Sequence, residues 1–235
     1  MTVILDRLTA LASLARSNVG SPPTTTSWWR SGPSMRAADT HEIMIYGEIG
    51  SDWGPDDLSA ASFVRALAQV TASNIVLRIN SPGGAIFDGI AIHSALARHP
   101  ARVTAHVDGI AASAASFVAQ AADDIVMATP AKMMIHDASG LAIGGAEDMR
   151  AMADLLDELS DTIAGIYAAR SGRPVARWRT AMRAATWYSS ASAVADGLAD
   201  RVADPPAGDQ APRDRASQLI RARARATSGR TSNAS

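Results

Sequence analysis

Ser113 occupies a position where a catalytic nucleophile would be placed. Residues 102–107 alternate as a β-strand does, Gly109 interrupts the run, and residues 114–122 are small helix-forming residues. A serine at such a turn faces the unpaired N–H groups of the helix's first turn, which would stabilise an alkoxide or an anionic intermediate. The same position also suits an ordinary helix N-cap, so the interpretation depends on what surrounds the serine.

A glycine-rich turn and a histidine flank this serine in the sequence. Upstream, residues 75–80 form a short apolar run typical of a buried strand and lead into the motif Ser-Pro-Gly-Gly at residues 81–84. Adjacent glycines leave room for a ligand and expose N–H donors suited to an oxyanion hole, although a plain strand-to-helix loop has the same composition. Downstream, residues 132–136 form another apolar strand, which ends in His136, the candidate general base.

Together these segments resemble the proteolytic subunit of Clp protease, the ClpP family, and most closely its phage relatives, the ClpP-related head maturation proteases. The resemblance covers residues 41–202. Its motifs are Asn-Ser-Pro-Gly-Gly at residues 80–84, Gly-Ile-Ala-Ala-Ser at 109–113 and Met-Ile-His at 134–136. The phage branch is suggested by the segments at residues 112–116, 135–137 and 186–188.

The resemblance implies a division of roles among these residues. Ser113 would be the nucleophile, His136 the general base, and the N–H groups of Gly84 and Ala114 the oxyanion hole. A substrate would add an extended strand beside the glycine-rich segment after His136. The residues expected to bind it are Gly140, Leu141, Ala142, Ile143 and Gly144. On these roles, Gly84→Ala is expected to lower turnover by about two to three decades without unfolding the protein.

One position departs from the family pattern. The family's third catalytic member is an acidic residue, and aligning the motifs places Ala185 there. That carboxylate holds the imidazole in its productive tautomer and stabilises the imidazolium, and disabling it can cost about four decades in turnover. Asp137 follows His136, but successive side chains of a strand point to opposite faces. Thr186 or a water molecule remains as an orienting group, so a slow Ser-His dyad and a catalytically silent relative are both open.

Other functions compete with this interpretation. The signal-peptide-peptidase relatives of the fold pair serine with lysine, and Lys132 is the only lysine of the chain. It lies four residues from His136 on the same strand face, so the two side chains are too far apart for both to serve Ser113. An inactive structural or assembly subunit would keep the fold without turnover, and a general ATP-dependent Clp subunit would work with an ATPase unfoldase. A crotonase acting on thioesters has no need of a positioned Ser-His pair.

Composition restricts the remaining classes. The 235-residue chain is 47% hydrophobic, and its 22 Lys+Arg against 23 Asp+Glu leave a net charge of −1, so no nucleic-acid partner is expected. There is no cysteine, which excludes disulfides and a thiol nucleophile. Without an HExxH motif, a carboxylate cluster or a phosphate loop, we expect no metal and no cofactor. No apolar stretch reaches membrane-spanning length and no signal peptide is recognisable, so a cytoplasmic location is expected.

The order of the elements predicts an α/β fold with parallel strands. Strands at residues 41–46, 74–79 and 102–107 alternate with helices at 56–70, 86–98 and 113–122. A long helical pattern follows over residues 146–170. The resemblance implies the ClpP/crotonase-type fold of repeated ββα and βα units, in which this projecting helix joins stacked homo-oligomeric rings. A helix packed on its own core is the alternative.

The chain is predicted to divide into three parts. Residues 1–40 form an N-terminal extension, with a short amphipathic helix and a Ser/Thr/Pro/Gly-rich linker over residues 20–33. Residues 41–203 form the ClpP-like domain, and residues 204–235 form a basic tail that is expected to be disordered. The extension is open to three roles, which are docking on the body, pairing with another subunit and removal by cleavage.

Overall fold

The computed structural model describes residues 28–34, 38–50 and 59–203, which all belong to one unit that ends at Ala203. The predicted N-terminal helix and basic tail lie outside these residues, and the division into three parts stays a prediction. The strands of the described residues are β1 Trp29–Pro33, β2 Thr40–Ile49, β3 Asn74–Gly84, β4 Arg102–Ala112, β5 Asp124–Met127, β6 Lys132–Ile135, β7 Thr186–Ser189 and β8 Arg201–Val202. The helices are α1 Ala60–Leu67, α2 Ile86–Ala97, α3 Ala114–Ala119, α4 Ala146–Ser171, α5 Val175–Arg183 and α6 Ser190–Asp196.

The strands form one mixed sheet, which confirms the predicted α/β class. Its order is β1-β2-β3-β4-β5-β8, and β6 pairs with both β4 and β7. Strands β2, β3, β4, β5 and β8 run parallel, as predicted for the core, and β6 runs parallel to β4. Strand β1 is antiparallel to β2, and β7 is antiparallel to β6.

Alternating side chains of the central strands build the core. In β3, Ile75, Leu77 and Ile79 are buried, whereas Val76 and Arg78 between them are half-buried. Each fully buried aliphatic side chain contributes about 1.5–3 kcal/mol of stability. Because a slip of one residue would turn all of them to the other face, the register of β3 is strongly specified. The positions at the carboxyl end of this strand are therefore fixed as well.

The strands that carry the candidate site run further than the sequence predicts. Strand β3 continues to Gly84 and β4 to Ala112, so α3 begins only at Ala114. The alternation of apolar residues stops before these strands end, but Ser81 still pairs with Ala111 after a shift in register. The glycine motif is thus the end of a strand rather than a loop after one.

Strand β1 lies in the segment predicted to be a linker, which is a correction to the sequence interpretation. Trp28 is buried and its ring stacks on Phe63 at 6.1 Å between centroids, while Trp29 meets the same ring edge-on at 5.4 Å. Burial of two large aromatic side chains outweighs the local Ser and Pro content that favours a loop. Residues 29–33 consequently pair with β2 as an outer strand.

Helix α4 is the long helix that the sequence predicts over residues 146–170. It is capped at its start by Asp148, whose carboxylate accepts from the N–H of Gly145 at 2.7 Å, and it ends at Gly172 in the left-handed conformation. Its buried residues are confined to the carboxyl half: Ser160, Ile163, Ala164 and Tyr167. The amino half is largely exposed. Neither α4 nor another helix among the described residues is long and apolar enough to cross a membrane.

Candidate active site

The sheet brings Ser113 and His136 into contact. Strands β4 and β6 run parallel with Ala112 opposite Met134, so both strands end at the same edge of the sheet. Ser113 follows β4 and His136 follows β6. Their side chains meet with 2.8 Å between Nε2 of His136 and Oγ of Ser113, which is a hydrogen-bond distance.

Ser113 has a strained backbone that its neighbours hold in place. Its φ of 52° and ψ of −125° lie outside the regions that a residue with a Cβ normally adopts. The N–H of Ser113 donates to the carbonyl of Met134 at 2.9 Å, and the carbonyl of Ser113 accepts from the hydroxyl of Ser116 at 2.5 Å. Ser116 in turn meets the hydroxyl of the fully buried Tyr167 at 2.7 Å. This strained turn directs the serine side chain toward the histidine.

The hydroxyl of Ser113 does not cap the helix that follows it. Helix α3 begins at the next residue without a side-chain capping hydrogen bond from Ser113. The first N–H groups of a helix have no acceptor within the helix, so the N–H of Ala114 remains a donor beside the serine. Ser113 therefore stands at the N-cap position without capping the helix through its side chain, because its hydroxyl is engaged with His136.

The glycine motif approaches Ser113 so closely that its first glycine cannot carry a side chain. A Cβ on Gly83 would lie 2.5 Å from Cβ of Ser113 and 2.8 Å from the nitrogen of Ala114. The N–H of Gly83 is directed to Oγ of Ser81 at 3.2 Å. The neighbouring Gly84 is thus the residue of this motif that has its N–H left for a ligand.

The pairing of β3 with β2 fixes the direction of that N–H. Gly84 is opposite Ile49, whose carbonyl accepts from the N–H of Ala85 at 2.9 Å. In a parallel ladder this pattern uses the polar groups of Ile49 and directs those of Gly84 away from β2. That side of β3 faces β4, which ends in Ser113.

The same packing corrects the expectation for Gly84→Ala. The φ of Gly84 is +147°, and a Cβ there would overlap the carbonyl oxygen of Ile49 and lie 2.7 Å from its nitrogen. These are backbone atoms of a paired strand, so they cannot give way as a flexible side chain would. The substitution is expected to strain the fold rather than only to slow turnover.

His136 sits in a partly buried place that favours its neutral form. Burial lowers the pKa of its imidazole, and this effect is opposed by a hydrogen bond with the main chain of Asp137 and by the charge of the Asp137 carboxylate. Because only an acceptor stabilises the protonated ring, the main-chain partner is the carbonyl oxygen. Nε2 of this ring faces Oγ of Ser113. A neutral imidazole with Nε2 as acceptor is the form that a general base requires.

Ala185 directly precedes β7, the strand that pairs with the histidine strand β6. Strands β6 and β7 are antiparallel with Ile135 opposite Thr186, so the next pair along would be His136 and Ala185. Ala185 has a φ of +48°, a conformation that asparagine and aspartate adopt more readily than alanine. The hydroxyl of Thr186, which the sequence leaves open as an orienting group, donates to the carbonyl of Ala181 at 2.7 Å.

The Asp137 carboxylate is engaged elsewhere, as strand alternation predicts. Its Oδ1 lies 2.5 Å from NH1 of Arg179, a buried arginine of α5. The same guanidinium contacts Asp157 at 3.0 Å and Asp161 at 2.7 Å on α4. Sequence reasoning missed this arginine, although two aspartates one helical turn apart are a signal for a shared cation.

The segment expected to bind substrate lies between β6 and α4. Leu141 is 82% exposed and Ile143 is 88% exposed, so two large apolar side chains stand in solvent. Gly140 lies over α4, where a Cβ would be 3.7 Å from Leu156. Gly144 lies against Asp148 at the start of that helix. Binding by residues 140–144, including Ala142, stays a prediction.

Lys132 is exposed and stands at the opposite end of β6 from His136. The two residues are four positions apart along the strand, about 13 Å at the rise of a β-strand. This separation disfavours a Ser-Lys pair. Across the described ranges, no group of three or more His, Asp or Glu side chains is arranged to hold a metal ion.

A comparison with known protein families gives a match. The model of the Clp protease family matches residues 33–206, which is well over half of the chain. The matched range includes the glycine motif, Ser113, His136 and Ala185. It thereby supports the ClpP-type α/β fold expected from the sequence.

Proposed function

This chain belongs to the Clp protease family, and we propose that it is a serine endopeptidase that works through Ser113 and His136. Members of this family act on protein substrates and form oligomeric rings. The observation that carries the proposal is the 2.8 Å contact between Nε2 of His136 and Oγ of Ser113. A nucleophile and a base within hydrogen-bond reach are the minimum that acyl transfer requires.

In the proposed first step, Oγ of Ser113 attacks the carbonyl carbon of the scissile peptide bond. Nε2 of His136 takes the hydroxyl proton as the C–O bond forms. The negative charge moves to the carbonyl oxygen, where the N–H groups of Gly84 and Ala114 donate to it. His136 then gives the proton to the leaving amine, the C–N bond breaks, and an ester on Ser113 remains.

In the second step, water releases the acyl group. His136 removes a proton from the water as its oxygen attacks the ester carbonyl, and the same oxyanion hole holds the second tetrahedral intermediate. Collapse returns the proton to Oγ of Ser113 and frees the carboxylic acid. The lowered pKa of His136 keeps the base neutral between these steps.

Exposed residues beside the site support an extended peptide substrate. Residues 140–144 follow the histidine strand without forming a helix or a strand themselves. Their free backbone groups would pair with a substrate in the manner of an added strand, and the exposed side chains of Leu141 and Ile143 would contact its apolar residues.

For the biological setting, we propose head maturation in a phage, with a capsid or scaffold protein as substrate. The support is the resemblance of residues 112–116, 135–137 and 186–188 to that branch of the family. In this setting the enzyme acts as a homo-oligomeric ring in the cytoplasm. Incubation with a phage capsid or scaffold protein tests the setting, since cleavage is expected there and not in an unrelated folded protein. A ring that degrades unfolded casein only with an ATPase unfoldase would instead indicate the general Clp role.

Ala185 favours a second candidate function, which is a ClpP-like assembly subunit with little or no turnover. Ala185 would come opposite His136 if the β6–β7 register continued by one pair, and its side chain has no group that can orient an imidazole or offset its charge. A subunit of this kind would keep the ring and leave Ser113 unreactive.

Labelling with a fluorophosphonate separates the two functions. In an active enzyme Oγ of Ser113 bonds to phosphorus, fluoride leaves, and His136 accepts the proton. We expect labelling of the parent protein at Ser113, none in Ser113→Ala, and a loss of at least about a hundredfold in rate in His136→Ala. Lys132→Ala is the control and should label normally. A folded parent protein that does not label would favour the assembly subunit.

A further inference from the structure

Strands β6 and β7 turn one of their two faces toward helix α5. On that face the hydroxyl of Thr186 donates to the carbonyl of Ala181 at 2.7 Å, and Tyr188, two residues further along β7, is buried. Asp137, the second residue after β6, pairs with Arg179 of α5 at 2.5 Å. These contacts define which side chains of the two strands face α5.

Trp187 and His136 belong to the opposite face of the same two strands. Trp187 lies between two residues of the α5 face, and His136 directly precedes Asp137. Successive side chains of a strand point to opposite faces. The register of β6 and β7 sets Trp187 opposite Met134, which lies two residues before His136. Diagonal neighbours of this kind are about 7–8 Å apart, within reach of an aromatic side chain.

Trp187 extends a row of functional groups along this edge of the sheet. At the carboxyl end of β4 the strands lie in the order β3, β4, β6 and β7. These strands carry, in the same order, Gly84, Ser113, His136 and Trp187. The proposed base therefore lies between the nucleophile and the indole.

This order fixes the direction in which the amine half of a substrate would leave. The carbonyl oxygen of the scissile bond would be held at the Gly84 end of the row, and the leaving nitrogen would take its proton from Nε2 of His136. The chain on the amine side of the scissile bond is thereby led across His136 toward β7. Trp187 stands on that path with 42% of its side chain exposed.

We propose that Trp187 is a specificity-determining residue, which binds a large apolar or aromatic side chain on the residue directly after the scissile bond. An indole that stands in solvent gains contact area when such a side chain covers it, and aromatic pairs add a geometric preference. This role rests on the proposed function, because it assigns a binding contact within the peptidase site.

The test uses the acyl-enzyme, because an added amine attacks it from the place that the leaving amine vacates. The probe N-acetyl-leucine p-nitrophenyl ester acylates Oγ of Ser113 and releases nitrophenol. The added amine then forms an amide bond with the acyl carbon, its proton passes through His136 to Oγ, and the C–O bond to Ser113 breaks. Water competes for the same acyl-enzyme, so the ratio of amide to acid does not depend on how fast the acyl-enzyme forms.

Phenylalaninamide and glycinamide are compared as the added amines at equal concentration. In the parent we expect about tenfold more amide from phenylalaninamide, and in Trp187→Ala a preference of about twofold or less. Trp187→Phe should keep most of the preference, because it retains an aromatic ring. A parent without the preference, or an equal preference in the parent and Trp187→Ala, would overturn the proposal.

Two controls and a substitute variant complete this experiment. Val175→Ala is the matched control, because Val175 is a similarly exposed apolar residue on α5, 43% exposed, and its loss should leave the preference intact. Ser113→Ala measures the uncatalysed reaction of the ester with each amine, which is subtracted. If Trp187→Ala does not fold, Trp187→Thr takes its place with the same expectation, since threonine favours strands.

A second measurement needs no turnover. In Ser113→Ala protein labelled with ¹⁵N-tryptophan, the added change Trp187→Phe identifies the indole N–H resonance of this residue. We expect phenylalaninamide to shift that resonance and glycinamide at the same concentration to leave it in place. An indole that does not respond would contradict the proposed contact. If the indole responds while Ser113 of the parent fails to label with the fluorophosphonate, the peptidase proposal fails and the apolar contact stands.

Discussion

Ala185→Asp should convert the candidate dyad into a complete triad. Position 185 directly precedes β7, and one further pair in the β6–β7 register would place it opposite His136. Directly opposed residues of antiparallel strands have Cβ atoms about 4.5–5.5 Å apart. An aspartate carboxylate extends from its Cβ toward the facing side chain, which brings it within hydrogen-bond reach of Nδ1. The left-handed φ of +48° at this position suits aspartate better than alanine, so the backbone need not change.

The size of the effect has an upper and a lower bound. Loss of the carboxylate from a complete serine triad costs about four decades in turnover. At position 185 the gain would come from a fixed tautomer and from the charge that forms on His136. An opposite charge about 4 Å away contributes at most about 4 kcal/mol at a partly buried site, or about three decades, and desolvation of the new carboxylate removes part of it. We therefore expect an increase of at least about tenfold.

The assay measures fluorophosphonate labelling rates and peptidase kcat for the parent, Ala185→Asp and Ala184→Asp. The last is the matched control, because it adds the same charge at an exposed neighbour with ordinary helical φ. Ala184→Asp should leave both rates within about twofold of the parent. Melting temperatures are measured in parallel, since an aspartate buried without a partner would destabilise the fold.

An unchanged rate in a normally folded Ala185→Asp would refute the reasoning. It would mean that the side chain at 185 does not face His136, or that another group already orients the ring. A similar gain in Ala184→Asp would show instead that general negative charge near the site is responsible.

Three further predictions follow from the site. The labelling rate should rise with pH and reach its plateau above about pH 6.5, with the half-maximal rate below that value. The reason is that burial lowers the pKa of His136 and that the neutral ring is the base. A midpoint above about pH 6.5 would contradict the expected direction of the pKa shift. Gly84→Ala should lower the melting temperature by about 6–12 °C, since it places a Cβ against the backbone of Ile49. A variant that is as stable as the parent but slower would instead indicate that Gly84 serves only the oxyanion hole. Tyr167→Phe removes the hydroxyl that supports Ser116 and should reduce labelling severalfold at a stability cost of about 1–2 kcal/mol, measured by urea unfolding.

Much of the fold could be predicted because the spacing of apolar residues along the sequence follows which side chains are buried. The alternation in β3 and β4 and the 26-residue pattern of α4 follow directly from which residues face the core. The ends of the strands were harder to predict from the sequence, because residues 81–84 and 108–112 stay in the sheet through pairing with neighbours that lie far away in the sequence. Strand β1 was missed because tertiary burial of Trp28 overrides local composition.

The candidate site was predictable only in its short-range parts. Ser113, His136 and the glycine motif each end a recognisable strand, so their convergence follows from a parallel arrangement. The residues that hold these groups in place could not be predicted from the sequence. Ser116, Tyr167 and Arg179 reach the site from different elements, and their roles depend on contacts at 2.5–2.7 Å that periodicity does not specify.

Ser113 and Ala185, the two residues with positive φ near His136, indicate how the site keeps its backbone without a carboxylate at position 185. Ser113 follows β4 and Ala185 precedes β7, and these strands flank β6 on its two sides. Their backbones keep these positions whether or not position 185 carries a carboxylate. Adding the carboxylate should therefore require no refolding. Because the new carboxylate acts through the His136 ring, the gain from Ala185→Asp should disappear in the His136→Ala background, and a gain that persists without the histidine would show that the aspartate acts on a different part of the molecule.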